Sequence, residues 1–280
     1  MGIYAVTGSA SGMGRAAAER LRADGHRVIG VDLRDAEVIA DLSIPQGRSE
    51  AAAAVLELAE GRLDGAVMAA GVGPLPDRSA VRLILSVNYF GVVDLLQTWR
   101  PALAAGGNSK VVVVGSNSSS TMPMVPLGAV RALLRDDLER AVKTLHRYRS
   151  VAPSLAYGGS KIAVSRWVRR NAVLPGWVGA GIRLNAIAPG AIRTPLLEKQ
   201  LASPREARAV QSFPVPVGSF GNPDHLAEWM VFMLSDAAEF LCGSVIFVDG
   251  GSDAHFRPDD WPRRVPTSRL PQYALRYLRR

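Results

Sequence analysis

The sequence predicts an α/β fold: a mostly parallel, seven-stranded sheet, doubly wound, with helices on both faces. Three observations predict it. Short apolar, β-branched runs alternate along the chain with longer segments of helical period. The first run is ended by a glycine-rich stretch, residues 7–14, that opens straight into a helical pattern. The length of 280 residues, with 48% hydrophobic and 21% charged residues, suits one domain with a substantial core.

Taken in order, residues 3–7 form a buried strand and 13–23 a helix, joined through Gly8, Gly12 and Gly14. Gly8 permits a tight turn. Gly12 and Gly14 let backbone approach a pyrophosphate and let helix pack on strand. The free amides at the helix start then face an anion. The spacing also suits an ordinary glycine-rich turn. A second strand, 27–31, ends at Asp32, about 20 positions past the turn, where a carboxylate grips ribose hydroxyls. Such a carboxylate repels a 2′-phosphate and favours NAD over NADP; Arg15 and Arg34 nearby act against that preference. The alternative for Asp32 is a turn former at a strand end.

Further strands follow at 38–40, 65–69 and 110–115, and helices at 49–60 and 87–103. Ser116 closes the strand 110–115. A serine there points into the cleft where open α/β sheets bind ligands, although Ser118, Ser119 and Ser120 read as loop chemistry. Val130, Leu133, Leu134, Leu138, Ala141, Val142 and Leu145 make a stripe at helical spacing, with Glu139 and Lys143 placed to pair on the other face. That stripe covers the domain's own surface, walls a substrate site or meets another subunit.

Tyr157 and Lys161 are one helical turn apart and share a face. An ammonium beside a phenol favours the phenolate, bringing it toward a useful acid/base range. A helix at 160–174, a strand at 182–188, a helix at 223–234 and a strand at 244–248 complete the alternation. Residues 192–213 mix Pro195, Leu196, Leu197, Leu201 and Phe213 with charges, as a substrate lid or a packed loop does.

The motifs occur in the order of the short-chain dehydrogenases/reductases: residues 7–14, Ala69-Ala70-Gly71, Asn88, Ser116, Tyr157-x-x-x-Lys161 and Pro189-Gly190. The resemblance covers roughly residues 1–252, and segments 30–42, 86–91 and 185–191 resemble its bacterial NAD-dependent 3α-hydroxysteroid dehydrogenase/carbonyl reductase group. It implies a Rossmann-type domain. It also implies an oxidoreductase that interconverts a secondary alcohol and a ketone on a bulky apolar molecule, a 3α-hydroxysteroid or, alternatively, a terpenoid, cyclic diol or xenobiotic carbonyl. A non-catalytic dinucleotide-binding scaffold is the rival from another class.

By the same resemblance Tyr157 is the general acid/base, Lys161 lowers its pKa and holds the nicotinamide ribose, Ser116 orients the substrate oxygen, and Asn88 positions a water leading to Lys161. The implied NAD site comprises Gly8, Ser9, Ser11, Gly12, Met13, Gly14, Asp32, Asp41, Leu42, Ala70, Gly71, Tyr157, Lys161, Pro189, Gly190, Ile192 and Thr194. Residues 119–153 are an insertion on the common plan, associated in the resembling group with a homodimer rather than a tetramer. Ala69 departs from the usual Asn-Ala-Gly, removing a side-chain amide.

The formal charge is +8, and much of it lies in the tail 253–280 at Arg257, Arg263, Arg264, Arg269, Arg276, Arg279 and Arg280. The body lacks stacking aromatics interleaved with a basic stripe, which argues against nucleic acid. Cys242 alone rules out an intramolecular disulfide framework. No unbroken apolar run reaches about 18 residues, and a strand beginning at residue 3 leaves no room for a signal peptide. The expectation is a cytoplasmic enzyme acting on small molecules, with no metal. Prolines 258, 262, 266 and 271 oppose a helix before about Gln272. Tyr273, Leu275, Tyr277 and Leu278 form a short apolar turn at the end of a disordered extension or of a docking arm.

Overall fold

The computed structural model describes residues 1–75, 77–260 and 265–278; Pro262, Arg263, Arg264, Arg279 and Arg280 lie outside the described residues. Its strands are β1 (Ile3–Thr7), β2 (Arg27–Asp32), β3 (Val38–Ile39), β4 (Gly65–Met68), β5 (Lys110–Val114), β6 (Arg183–Pro189) and β7 (Val245–Val248). All pair in parallel, in the order β3-β2-β1-β4-β5-β6-β7. The order reverses between β1 and β4, which makes their C-terminal ends the crevice where such sheets bind ligands.

The helices are α1 (Gly12–Ala23), α2 (Pro45–Leu58), α3 (Ala80–Leu85), α4 (Gly91–Ala105), α5 (Ser118–Thr121), α6 (Leu127–Leu133), α7 (Leu138–His146), α8 (Ala152–Asn171), α9 (Pro195–Leu201), α10 (Pro204–Gln211), α11 (Pro223–Leu234), α12 (Ser252–Phe256) and α13 (Leu270–Leu278). Side-chain alternation along the strands feeds two cores. Ala5, Val111 and Val113 join a cluster with α2, α4 and α8, whereas Val6, Val112 and Val114 join one with α1 and α11.

The expected strands all form, with ends shifted by a residue. The helices differ more. A single turn of π-helix, Ser86–Phe90, joins α3 to α4 in one continuous run from Ala80 to Ala105. This run is long and apolar enough to cross a membrane by length and composition; Arg82, Asp94 and Arg100 hide it from a search for unbroken apolar runs. Yet 72% of its apolar window is buried inside the fold, where Trp99 donates its indole N–H to the Ala52 carbonyl at 3.2 Å. It is a core helix.

The stripe of the insertion packs on the domain itself. Val130, Leu133, Ala141 and Leu145 are fully buried in the cluster shared with α3 and α8. Glu139 pairs with Arg82 at 2.7 Å, not with Lys143 as its spacing suggests. Helix α8 begins at Ala152, eight residues before the expected start, so Tyr157 sits inside it. The tail forms α13 from Leu270, two residues earlier than the prolines allow for, because Pro271 falls in its first turn, where no N–H is needed.

Candidate active site

Loops after β1, β2, β3 and β4 enclose a cavity of about 390 Å³ lined by Gly8, Ser11, Gly12, Met13, Gly14, Asp32, Asp41, Leu42, Ala70, Gly71 and Thr194. Gly8 turns the chain with φ 71°, and a Cβ on it would lie 2.8 Å from the Ala70 nitrogen. The first turn of α1 opens onto this space with its free amides. Asp32 is held rigidly: Oδ2 accepts from the Ala10 N–H at 3.0 Å and Oδ1 from the Leu33 N–H at 2.7 Å. Arg15 and Arg34 face acids of their own segments, Glu19 at 3.6 Å and Asp35 at 3.8 Å. The cradle thus sets glycines and a carboxylate around one cavity.

A second cavity, about 410 Å³, opens at the ends of β5 and β6. Met13, Thr194 and Leu196 line both, so the two spaces meet there. Its walls are mostly apolar: Met122 from the start of the insertion, Ile192, Leu196 and Leu197 leading into and along α9, and Val210 and Phe213 beyond. Pro189 and Gly190 form its floor, tied to the β5 end by the Asn117 N–H donating to the Pro189 carbonyl at 2.9 Å.

Ser116 and Tyr157 both line this cavity, and the Ser116 hydroxyl lies near enough to the phenol to favour its ionised form. The Ser116 hydroxyl oxygen also accepts from the Ser118 N–H at 3.1 Å, which leaves its own hydrogen to donate elsewhere. Behind them, Lys161 is buried and donates from Nζ to the Val114 carbonyl at 2.8 Å. Burial lowers Lys161 to about 8. Burial also raises Tyr157, against which the nearby Ser116 hydroxyl works. The ammonium lies 5.9 Å from the Tyr157 ring centroid. The protein alone therefore does not depress the phenol as the four-residue spacing suggests, because desolvation dominates.

Asn88 stands in the π turn, where the extra residue swings its side chain inward. Its Oδ1 accepts from the Val72 N–H at 2.8 Å, and its Nδ2 donates to the Val72 carbonyl at 2.9 Å and the Ser160 hydroxyl at 3.3 Å. A Cβ on Gly71 would sit 3.3 Å from that Oδ1 and 3.7 Å from Lys161 Nζ, so both groups border one small space. The amide missing at Ala69 is made good in part by Thr7, whose hydroxyl accepts from the Ala70 N–H at 3.1 Å.

Most of the expected residues converge on these two cavities. Ser9 does not: its side chain packs on Gly30, and its hydroxyl has no partner among the described residues. Lys161 and Asn88 stand behind the walls rather than in them. Asn117, Val72 and Met122 escaped notice as site residues, the first because it sits in a serine-rich loop, the others because nothing local marks them.

Residues 3–128 match the family model described as short chain dehydrogenase, and 141–253 that described as Enoyl-(Acyl carrier protein) reductase. The chain is 39% identical over 258 residues to the 3-alpha-hydroxysteroid dehydrogenase/carbonyl reductase of Comamonas testosteroni, covering 92% of this chain and 99% of that one. It belongs to the short-chain dehydrogenase family. It is an oxidoreductase, by class an NAD(P)-dependent alcohol dehydrogenase. The fold superposes with a TM-score of 0.85 and 44% identity on the 3-alpha-hydroxysteroid dehydrogenase of Pseudomonas sp. B-0831 complexed with NADH, over 92% of this chain and 99% of that one. Levodione reductase of Leifsonia aquatica is 28% identical over 283 residues, covering 91% of this chain and 95% of the relative.

Proposed function

We propose that the protein interconverts a secondary alcohol and a ketone with NAD, on a bulky apolar molecule of which a 3α-hydroxysteroid or 3-ketosteroid is the leading case. One observation carries the chemistry. The Ser116 hydroxyl and the Tyr157 phenol both face an apolar cavity that joins the glycine-lined cradle at Met13, Thr194 and Leu196. The cavity's size and mostly apolar lining suit a drug-sized apolar ligand, and the hydroxysteroid dehydrogenases similar to this chain support the substrate class.

When bound, NAD supplies the two-electron acceptor, and its reduced form the donor. Asp32 holds the adenine ribose and disfavours a 2′-phosphate. In oxidation Tyr157, as phenolate, takes the proton from the substrate hydroxyl; in reduction it returns one to the carbonyl oxygen. Ser116 donates to that same oxygen and fixes its position. The Lys161 ammonium favours the phenolate and holds a ribose hydroxyl. One Oδ1 lone pair of Asn88 is spent on Val72, and the other is free for a water beside Lys161.

Tyr157→Phe keeps the packed ring and loses the proton carrier. It is expected to bind NADH normally and to turn over ~10²–10⁴-fold more slowly. Near-normal turnover across a panel of steroids hydroxylated at different positions would sink the assignment. Asp32→Ala is expected to weaken NAD and relax the bias against NADP, which the ratio of kcat/KM for the two cofactors measures.

A further inference from the structure

Arg48 is a buried cation that the proposed mechanism leaves unused. It lies on α2 and is 6% exposed. Its Nη1 donates to the Leu42 carbonyl at 3.1 Å and its Nε to Asp94 Oδ2 at 2.7 Å, while the guanidinium carbon stands 5.8 Å from the centre of the Phe90 ring. These partners come from three places: the segment after β3, the first turn of α4, and the π turn that carries Asn88. A guanidinium presents its donors as a rigid fork and stacks on aromatic faces, so one side chain can hold all three.

The segment it grips is a wall of the cradle. Asp41 and Leu42 line the cavity that also holds Gly8 and Asp32. Residue 91, where α4 begins, is a glycine, and a Cβ there would stand 3.4 Å from Leu42 Cβ. A Cβ on Gly47, the neighbour of Arg48, would collide with the Asp41 carbonyl. Strand β3 ends at Ile39, so residues 41 and 42 lie past the end of its ladder. Arg48 takes over where the ladder stops.

We infer that Arg48 is a positioning residue for the adenine end of the dinucleotide: it clamps the wall at residues 41–42 against α4 and so sets cofactor affinity without touching the cofactor or the reacting atoms. The inference rests on the proposed reading of this cavity as the NAD site. A part that only held the fold together would lower stability and turnover alike. A clamp on the adenine wall acts on the binding of anything that carries adenosine and spares the chemical step.

The test compares wild type with Arg48→Met, Arg48→Lys and Asp94→Asn. Binding of NADH is followed by its fluorescence and binding of ADP-ribose by competition, with kcat at saturating NAD and the unfolding temperature measured alongside. Arg48→Met is expected to raise the Kd of both ligands and the KM for NAD about tenfold, the effect of losing one charged-donor hydrogen bond. Its kcat is expected to stay within about twofold of wild type. Arg48→Lys keeps the charge without the fork and falls between. Asp94→Asn, which spares the Leu42 contact, is mildest. Unchanged affinity in a folded Arg48→Met, or a kcat loss without a Kd change, overturns the inference. Should Arg48→Met fail to fold, affinity equal to wild type in the other two variants overturns it as well. A wild type that binds neither probe instead overturns the reading of the cavity, and this inference with it; wild-type binding that no variant disturbs overturns the inference alone.

Discussion

Lys161 carries its ammonium in a buried place that disfavours the charge. Burial lowers its pKa to about 8, against an ordinary value of about 10.4. The unfolded chain thus binds this proton more tightly than the folded one. Below pH 8 the lysine is charged in both states and the penalty is full; as pH rises from there toward the unfolded value, the penalty fades. Lys161→Met is therefore expected to unfold at higher temperature than wild type near neutral pH, by on the order of 2 kcal/mol after the lost bond to the Val114 carbonyl is deducted. The gain shrinks to nothing by about pH 10, while activity is lost throughout. Thermal scans across that range check it, and a variant no more stable than wild type at neutral pH would show that the ammonium is not desolvated. Tyr157 sets a second pH dependence. Burial raises its phenol, so oxidation, which needs the phenolate, is expected to speed up with rising pH, and reduction, which needs the phenol, to slow. Matching pH–rate profiles in the two directions would count against Tyr157 as the proton carrier.

Among the elements, the insertion behaves as core. Leu133 is fully buried between the insertion and α8, and Leu133→Ala is expected to destabilise the fold by about 2–5 kcal/mol, through lost burial and a cavity. Kinetic constants of the folded fraction are expected to hold, because Leu133 lines neither cavity; denaturant unfolding and steady-state kinetics separate the two. The stripe that revealed this helix pair was legible because a 3.6-residue period survives in sequence whatever covers it. Its partner was not, since periodicity marks a buried face without saying what buries it. The strands were legible for a related reason: fully buried parallel strands read as unbroken β-branched runs such as 111–114. The π turn at Asn88 left no local trace, and α3 merged with it unseen. At the site, Gly8, Asp32, Ser116 and Tyr157 stood out because each ends or flanks a readable element. Arg48 and Val72 did not, because they act through partners 46 and 16 positions away in the chain.

For the whole molecule, the question is where the working domain ends. Ser252 is fully buried and its hydroxyl donates to the Pro214 carbonyl at 2.7 Å. Arg257 forks onto Asp253 at 2.9 and 2.7 Å, and the Phe256 ring lies 5.5 Å from that of Phe213 at the edge of the second cavity. We therefore propose that the domain runs to Arg257 rather than stopping at residue 252. Beyond it the environment changes. Every described residue from 265 to 278 is exposed, including Leu270, Tyr273 and Tyr277 on one side of α13. Apolar surface left in water contributes nothing to folding. Deleting residues 258–280 is thus expected to change stability by less than about 0.5 kcal/mol and to leave the Michaelis constants alone. The deletion removes six arginines against two aspartates from a chain of formal charge +8, so weaker retention on a cation exchanger is expected. A truncated protein that melts earlier, changes oligomeric mass or binds its alcohol less well would show that the apolar side of α13 has a partner, on this subunit or another, and that the tail belongs to the working enzyme.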